Sequence, residues 1–313
     1  MALTASGRPP AIVIAGPTAA GKSALALRLA QELGGAVINA DSMQVYRDLR
    51  ILTARPSETD EAAAPHRLYG YVDGAERYSA IRWRADAVAA VEEVYAEGKI
   101  PVVAGGTGFY IEALIQGLSP VPDVPEETLL AMVARAETDG LASIFEAVQA
   151  CDAALAARVR PTDRQRLIRA LAVFEATGKP LSAWQSMPAK PPSFATIGFW
   201  LNPPRDLLYA RCDARLAAMV AQGALDEVAA LTGRGLEPSL PVMKALGVAE
   251  LAAAARGEIP AGEAVAAAQQ ATRRFAKRQL TWFRNRFAQF QRIDSQFSES
   301  LVVEIITKIH REG

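Results

Sequence analysis

Hydrophobic residues along the chain fall into two alternating patterns: short unbroken apolar runs, and longer stretches with a helical repeat. The run Ala11-Ile12-Val13-Ile14-Ala15 ends in a glycine-rich turn, and an Ala/Leu-rich helical pattern follows from Ser23 to Leu33. An unbroken run of this length, without polar alternation, fits a strand buried on both faces. Runs of the same kind occupy 36–40, 100–104 and 196–201, with a helical stretch from Ile81 to Ala96 between them. Residues 289–293 read as one last strand. Strands and helices in alternation predict an α/β fold, a parallel sheet with helices on both faces.

The pattern changes near Ser119, where Pro120, Pro122 and Pro125 lead into helical periodicity without a convincing strand as far as Met187. This stretch is expected to be an inserted all-helical domain. The organisation predicted is then 1–118 for the first part of the core, 119–190 for the insertion and 191–313 for the rest of the core. From Pro204 to Arg286 the chain is helical again, broken at Gly233-Arg234-Gly235 and near Pro241.

Composition narrows the class. The 313 residues exceed one compact core, and the 50% hydrophobic and 22% charged content is that of globular proteins. Cys151 and Cys212 lack a C-x-x-C spacing, so a reducing compartment is expected, with no structural disulfide or zinc. No apolar run approaches the roughly 20 residues of a membrane span, and the N-terminus does not read as a leader. The expectation is a cytoplasmic protein, without membrane contact and monomeric.

The formal charge is zero, but it is unevenly spread. Between Ala264 and Ala288 stand Arg273, Arg274, Lys277, Arg278, Arg284 and Arg286 with no acid, and Arg158 to Arg169 holds five arginines against Asp163. Such surfaces suit a phosphate backbone. Arg273, Lys277 and Arg284 follow an i, i+4, i+11 stripe with Arg278 on an adjoining face, and Arg166 and Arg169 share a helical face. Solvated helix faces remain the plain alternative.

Gly16-Pro17-Thr18-Ala19-Ala20-Gly21-Lys22-Ser23 fits G-x-x-x-x-G-K-S/T, after a buried strand and before a helix. Glycines let several N–H groups converge on one anion, Lys22 adds a mobile positive charge, and the Ser23 hydroxyl suits Mg²⁺. The sheet is therefore expected to be P-loop NTPase-like. The motif says phosphate without saying which molecule carries it, and ATP would fit equally well. Asp41 directly follows the second run and is either a base at the crevice or a helix N-cap. Gly105-Gly106-Thr107-Gly108 closes the third run, where Thr107 is a candidate phosphate ligand or part of a plain turn.

Taken together, the P-loop, Asp41-Ser42-Met43-Gln44-Val45-Tyr46, Gly105-Gly106-Thr107-Gly108-Phe109-Tyr110, Gln165-Arg166-Leu167-Ile168-Arg169 and Ala276-Lys277-Arg278-Gln279-Leu280-Thr281-Trp282-Phe283-Arg284 resemble the tRNA dimethylallyltransferase (tRNA isopentenyltransferase) family. The motifs stand in the family's order from Gly16 to Arg284. The chain lacks the Cys/His pairs of a zinc-finger extension and is similar to the bacterial type. Pro65-His66-Arg67-Leu68 and the segment from Val242 to Val248 match the family loosely.

The resemblance implies transfer of a dimethylallyl group from dimethylallyl diphosphate to the exocyclic N6 amine of the adenosine beside the anticodon, with release of diphosphate. In that scheme the P-loop, Lys22, Ser23, Thr107 and Mg²⁺ neutralise the leaving diphosphate, and Asp41 takes the amine proton. Arg211 and Arg215 stand one helical turn apart, and the resemblance implies that at least one of them helps hold the diphosphate. The tRNA contacts carry over to Asp41, Ser42, Met43 and Gln44 and to Gln165, Arg166, Leu167, Ile168 and Arg169. Arg273, Lys277 and Arg278 are expected to add to them, with the target base flipped out of the anticodon stem-loop. Prenylation of free adenine nucleotides and small-molecule phosphorylation are the rival enzymatic readings, and neither needs the basic helices. A non-catalytic nucleotide-driven RNA switch is the rival from another class.

Overall fold

In a computed structural model of the chain, which describes residue 7 and residues 9–312, the apolar runs form the strands of one sheet. These are β1 (Ala11–Ala15), β2 (Gly35–Asn39), β3 (His66–Arg67), β4 (Ile100–Gly105), β5 (Thr196–Leu201) and β6 (Gln291–Ile293). Their order is β3-β2-β4-β1-β5-β6, and every neighbouring pair is parallel. Helices α1 (Lys22–Leu33), α2 (Glu58–Ala63), α3 (Ala80–Ala96) and α4 (Gly108–Gln116) lie between or after the first four strands. A helical segment follows, with α5 (Glu126–Thr138), α6 (Gly140–Cys151), α7 (Ala153–Ala156), α8 (Arg164–Thr177) and α9 (Leu181–Gln185). The chain then returns to the sheet and continues through α10 (Arg205–Ala221), α11 (Ala224–Gly233), α12 (Val248–Ala255), α13 (Ala261–Arg286) and α14 (Glu299–Glu312).

The unbroken apolar character of β1 follows from its position. All five of its residues are fully buried, because side chains leave a strand on alternate faces and both faces are covered. Ile12 and Ile14 join Leu25 and Leu29 of α1 and Leu301 and Ile305 of α14 in one core cluster. Val13 faces the other way, into a cluster with Trp83 and Val91 of α3 and Phe283 of α13. Each fully buried Ile or Leu contributes roughly 1.5–3 kcal/mol.

Local signals set the helix ends. Ser79 caps α3 by accepting the Arg82 N–H, and Asp163 caps α8 by accepting the Arg166 N–H. Gly34 and Gly178 close α1 and α8 in the left-handed conformation.

The contacts divide the chain into two compact units, one running to Ile115 and resuming at Pro192, the other Gln116–Pro191. The second has its own apolar core around Ile144, Val148, Leu167, Ala170 and Val173, all fully buried. Within it the buried Asp152 carboxylate accepts the N–H groups of Leu155 at 3.0 Å and Ser182 at 2.8 Å, tying α7 to α9.

Two elements lie outside the expected set. Strand β3 has only two residues, too few for any periodicity, and is recognisable only by its pairing with Val37 and Ile38. Helix α14 continues the chain beyond the last expected strand, and its buried Leu301, Val302, Ile305 and Ile309 form a helical stripe in the α1 cluster. The last strand is also shorter than expected, starting at Gln291.

Candidate active site

The loop between β1 and α1 is shaped to receive an anion. Gly21 caps α1 at φ 92°, and a Cβ there would stand 2.7 Å from Cβ of Phe297, so only glycine fits. Ala19 holds φ 61°, a conformation that costs a residue with a Cβ about 1 kcal/mol. The Ala20 N–H returns to the Pro17 carbonyl at 3.3 Å and closes the turn. Helix α1 has neither a side-chain cap nor an acid in its first turn, so its first N–H groups and positive dipole end face the loop. The Lys22 ammonium folds back on this loop and donates to the Pro17 carbonyl at 2.6 Å. Ser23 is exposed in the first turn.

Because β4 lies between β1 and β2, the ends of three strands meet at this loop. Asp41 follows β2 in a turn rather than a helix, so the helix-cap alternative does not apply. Its Oδ1 accepts the Met43 N–H at 2.9 Å, and its own N–H donates to Asn39 Oδ1 at 2.8 Å. The Asn39 side chain is fully buried and donates to the carbonyls of Asp41 and Leu68, both at 3.0 Å. The Asn39 carbonyl in turn accepts the Trp83 indole N–H at 3.0 Å. Thr107 stands beside this turn: its hydroxyl accepts the Ser42 N–H at 2.9 Å and donates to Ser42 Oγ at 3.2 Å. The Thr107 hydroxyl therefore holds the Asp41 turn. Gln44 donates from Nε2 to the carbonyls of Thr53 and Ala54, leaving its amide oxygen as the free end.

Lys22, Asp41 and Arg215 share one electrostatic neighbourhood. Burial lowers Lys22 to about 8, with the Asp41 charge opposing that shift and the Arg215 charge adding to it. Burial also lowers Arg215, again against Asp41. Two desolvated cations facing a single carboxylate leave a surplus of positive charge, which an anionic ligand would relieve. Arg211, one turn earlier on α10, donates instead to Gln296 Oε1 at 2.6 Å. Arg215 is electrostatically coupled to Lys22 of the phosphate loop.

The family model for IPP transferase matches residues 44–286, well over half of the chain, and that for isopentenyl transferase matches residues 10–74. The chain belongs to the IPP transferase family. A tRNA dimethylallyltransferase of Bradyrhizobium sp. is 52% identical over 92% of this chain and 95% of the relative. One from Rhodospirillum rubrum is 52% identical over 97% of this chain and 92% of the relative. Among solved structures, the tRNA isopentenylpyrophosphate transferase of Bacillus halodurans superposes with a TM-score of 0.70 at 30% identity, covering 97% and 98% of the two chains. A eukaryotic dimethylallyltransferase described as acting on tRNA gives 0.77 at 29% identity, covering 92% of this chain and 74% of the other. The P-loop-like parallel sheet is thus the fold of IPP transferases, and the chain is a transferase.

In this IPP transferase the remaining expected residues divide between surface and core. On α13, Lys277 and Arg278 are exposed and share one surface of the helix with Arg274, Trp282 and Arg286. Arg273 is paired with Asp213 of α10 at 2.5 Å, so its charge joins two helices as well as facing solvent. Phe283 is fully buried, whereas Trp282 is partly exposed beside Gly108. On α8, in the helical unit, Gln165 and Arg166 are exposed and Arg169 is half-buried. Leu167 and Ile168 correct the expectation of RNA contact, since they are 0% and 6% exposed in the core of that unit. Their side chains anchor the helix that presents their polar neighbours.

Sequence reasoning assigns no role to two residues at the site. Asn39 is visible as the polar residue near the end of an apolar run. Gln279 stands on the inward stripe of α13 with Ala264, Ala268, Ala276 and Phe283, a polar residue at a core position. That mismatch is the available signal.

Proposed function

We propose that this enzyme transfers a dimethylallyl group from dimethylallyl diphosphate to the N6 amine of the adenosine adjacent to the anticodon of a tRNA, releasing diphosphate. The observation that carries this reading is the placing of the Asp41 carboxylate beside the cationic phosphate loop. A diphosphate ester and a nucleophile that must lose a proton need those two groups side by side. As the allylic C–O bond lengthens, charge develops on the diphosphate oxygens. The helix N–H groups, Lys22 and Arg215 stabilise that charge. The N6 nitrogen forms the new bond to the allylic carbon, and Asp41 accepts the proton that nitrogen gives up. Asn39 and Thr107 hold the Asp41 turn in position.

The donor set also suits Mg²⁺. Among the described residues no group of three or more acidic, His or Cys side chains is placed to hold a metal ion, and the Ser23 hydroxyl together with diphosphate oxygens would hold Mg²⁺. Such an ion would offset part of the diphosphate charge. The exposed cations of α13 and α8 support an RNA substrate over a free nucleotide. A tRNA acceptor fits a cytoplasmic protein, and the residues assigned here to the reaction all lie on one chain, which fits a monomer. No helix among the described residues is long and apolar enough to cross a membrane.

The test is incubation of the purified protein and Mg²⁺ with radiolabelled dimethylallyl diphosphate and unmodified tRNA, AMP or no acceptor. Label entering tRNA alone, and lost in Asp41→Ala, is the expected result. Label entering AMP would move the acceptor to free nucleotides. Absence of transfer alongside ATP turnover would replace the reading with a kinase.

A further inference from the structure

Gln279 is a primary amide in the apolar interior, 6% exposed, on the face of α13 that packs against the sheet. Both ends of the amide are used. Its Oε1 accepts the Thr18 N–H of the phosphate loop at 2.8 Å, and its Nε2 donates to the Gly106 carbonyl at the end of β4 at 2.7 Å. Thr18 belongs to the loop that grips the anion, and Gly106 precedes Thr107, which holds the Asp41 turn. One side chain therefore spans the two halves of the site, and it projects from the helix whose other faces carry Lys277 and Arg278.

From this geometry we infer that Gln279 is a positioning residue that locks the phosphate loop to the Asp41 turn, holding the leaving diphosphate and the proton acceptor at a fixed separation. A Gln is suited to this because it is both a donor and an acceptor without charge. A carboxylate could not donate to Gly106, and an ammonium could not accept from Thr18. The inference rests on the transfer reading above for its catalytic consequence, and on diphosphate binding independently of it.

The experiment compares wild type with Gln279→Met, which keeps size and loses both hydrogen bonds, and Gln279→Glu. Transfer kinetics, tRNA affinity by fluorescence anisotropy and inorganic diphosphate affinity by calorimetry are measured on each. Gln279→Met is expected to lose about 10–100-fold in kcat, in line with a small misplacement of reacting groups, and about 10-fold in diphosphate affinity. Its tRNA affinity should stay within about twofold, since the α13 cations are untouched. Gln279→Glu regains a donor when protonated, so its rate relative to wild type should rise as pH falls. Asp41, Lys22 and Arg215 face the same site in both proteins, so their charges act on both rates and largely cancel in that ratio. A folded Gln279→Met with wild-type kcat and diphosphate affinity would overturn the inference. So would losses in kcat, tRNA affinity and melting temperature that run in parallel, with a pH-independent Gln279→Glu ratio. If wild type transfers no label, the transfer reading fails, and the diphosphate affinities alone decide whether Gln279 organises the loop.

Discussion

Replacing Gly106 by alanine places one methyl group at the point where α13, the phosphate loop and Asp41 converge. A Cβ built there lies 2.5 Å from Gln279 Nε2, 3.4 Å from the Gly16 carbonyl oxygen and 3.6 Å from Asp41 Oδ2. The last two are tolerable contacts, whereas the first is about 0.9 Å short of the 3.4 Å at which ordinary contact begins. The amide must therefore withdraw, and its hydrogen bond to the Gly106 carbonyl is lost. A buried polar group left without a partner costs about 1–3 kcal/mol, which sets the expected loss of stability. A displacement near 1 Å at a reacting centre lowers the rate on the order of 10²-fold, which sets the expected loss of kcat. The two are measured separately, by urea unfolding and by transfer of labelled dimethylallyl to tRNA at saturating substrates. A Gly106→Ala protein within about threefold of wild-type kcat would refute the reasoning, because the amide could then move without consequence for the chemistry.

Lys22 predicts a pH dependence of diphosphate-donor binding. Its pKa is lowered to about 8, so the free enzyme carries the charge below about pH 8 and loses it as pH rises through that value. Affinity is expected to be full below pH 8 and to weaken by up to about tenfold per unit above it, as linkage requires. Calorimetry on wild type and Lys22→Arg separates this from the ligand's own ionisation, and equal pH profiles would remove Lys22 from the binding equilibrium. Leu167→Ala tests the assignment of that side chain to the core: a loss of about 2–5 kcal/mol in chemical unfolding is expected. Reduced tRNA affinity with unchanged stability would return Leu167 to the RNA surface. Arg166→Ala combined with Arg278→Ala should flatten the salt dependence of tRNA affinity, by about one unit of log–log slope per lost phosphate contact. An unchanged slope would place both cations outside the interface.

Much of this site is legible in the amino-acid sequence because its chemistry is local along the chain. Residues 16–23 need only each other to form an anion cradle, and a five-residue apolar run followed by that loop defines strand, turn and helix through short-range sterics and burial. The helical segment is legible for the same reason, since the periodicity changes where the prolines begin. The same helical repeat could sort Leu167 and Ile168 from Arg166, but a motif match carries all five residues together.

Order and proximity in space are not written in any local stretch. Strand order is set by long-range pairing, and nothing in 35–39 or 100–105 says that β4 lies between β1 and β2. That order alone brings Gly106 and Asp41 to the phosphate loop. The surroundings of Arg211 and Arg215 depend on how α10 packs, which turns one toward Gln296 and couples the other to Lys22 and Asp41. Gln279 is separated from Thr18 by 261 positions and from Gly106 by 173, so no window on the chain could pair them. Local sterics and hydrophobic period determine which elements form, while the burial of two sheet faces determines which distant polar groups must satisfy one another.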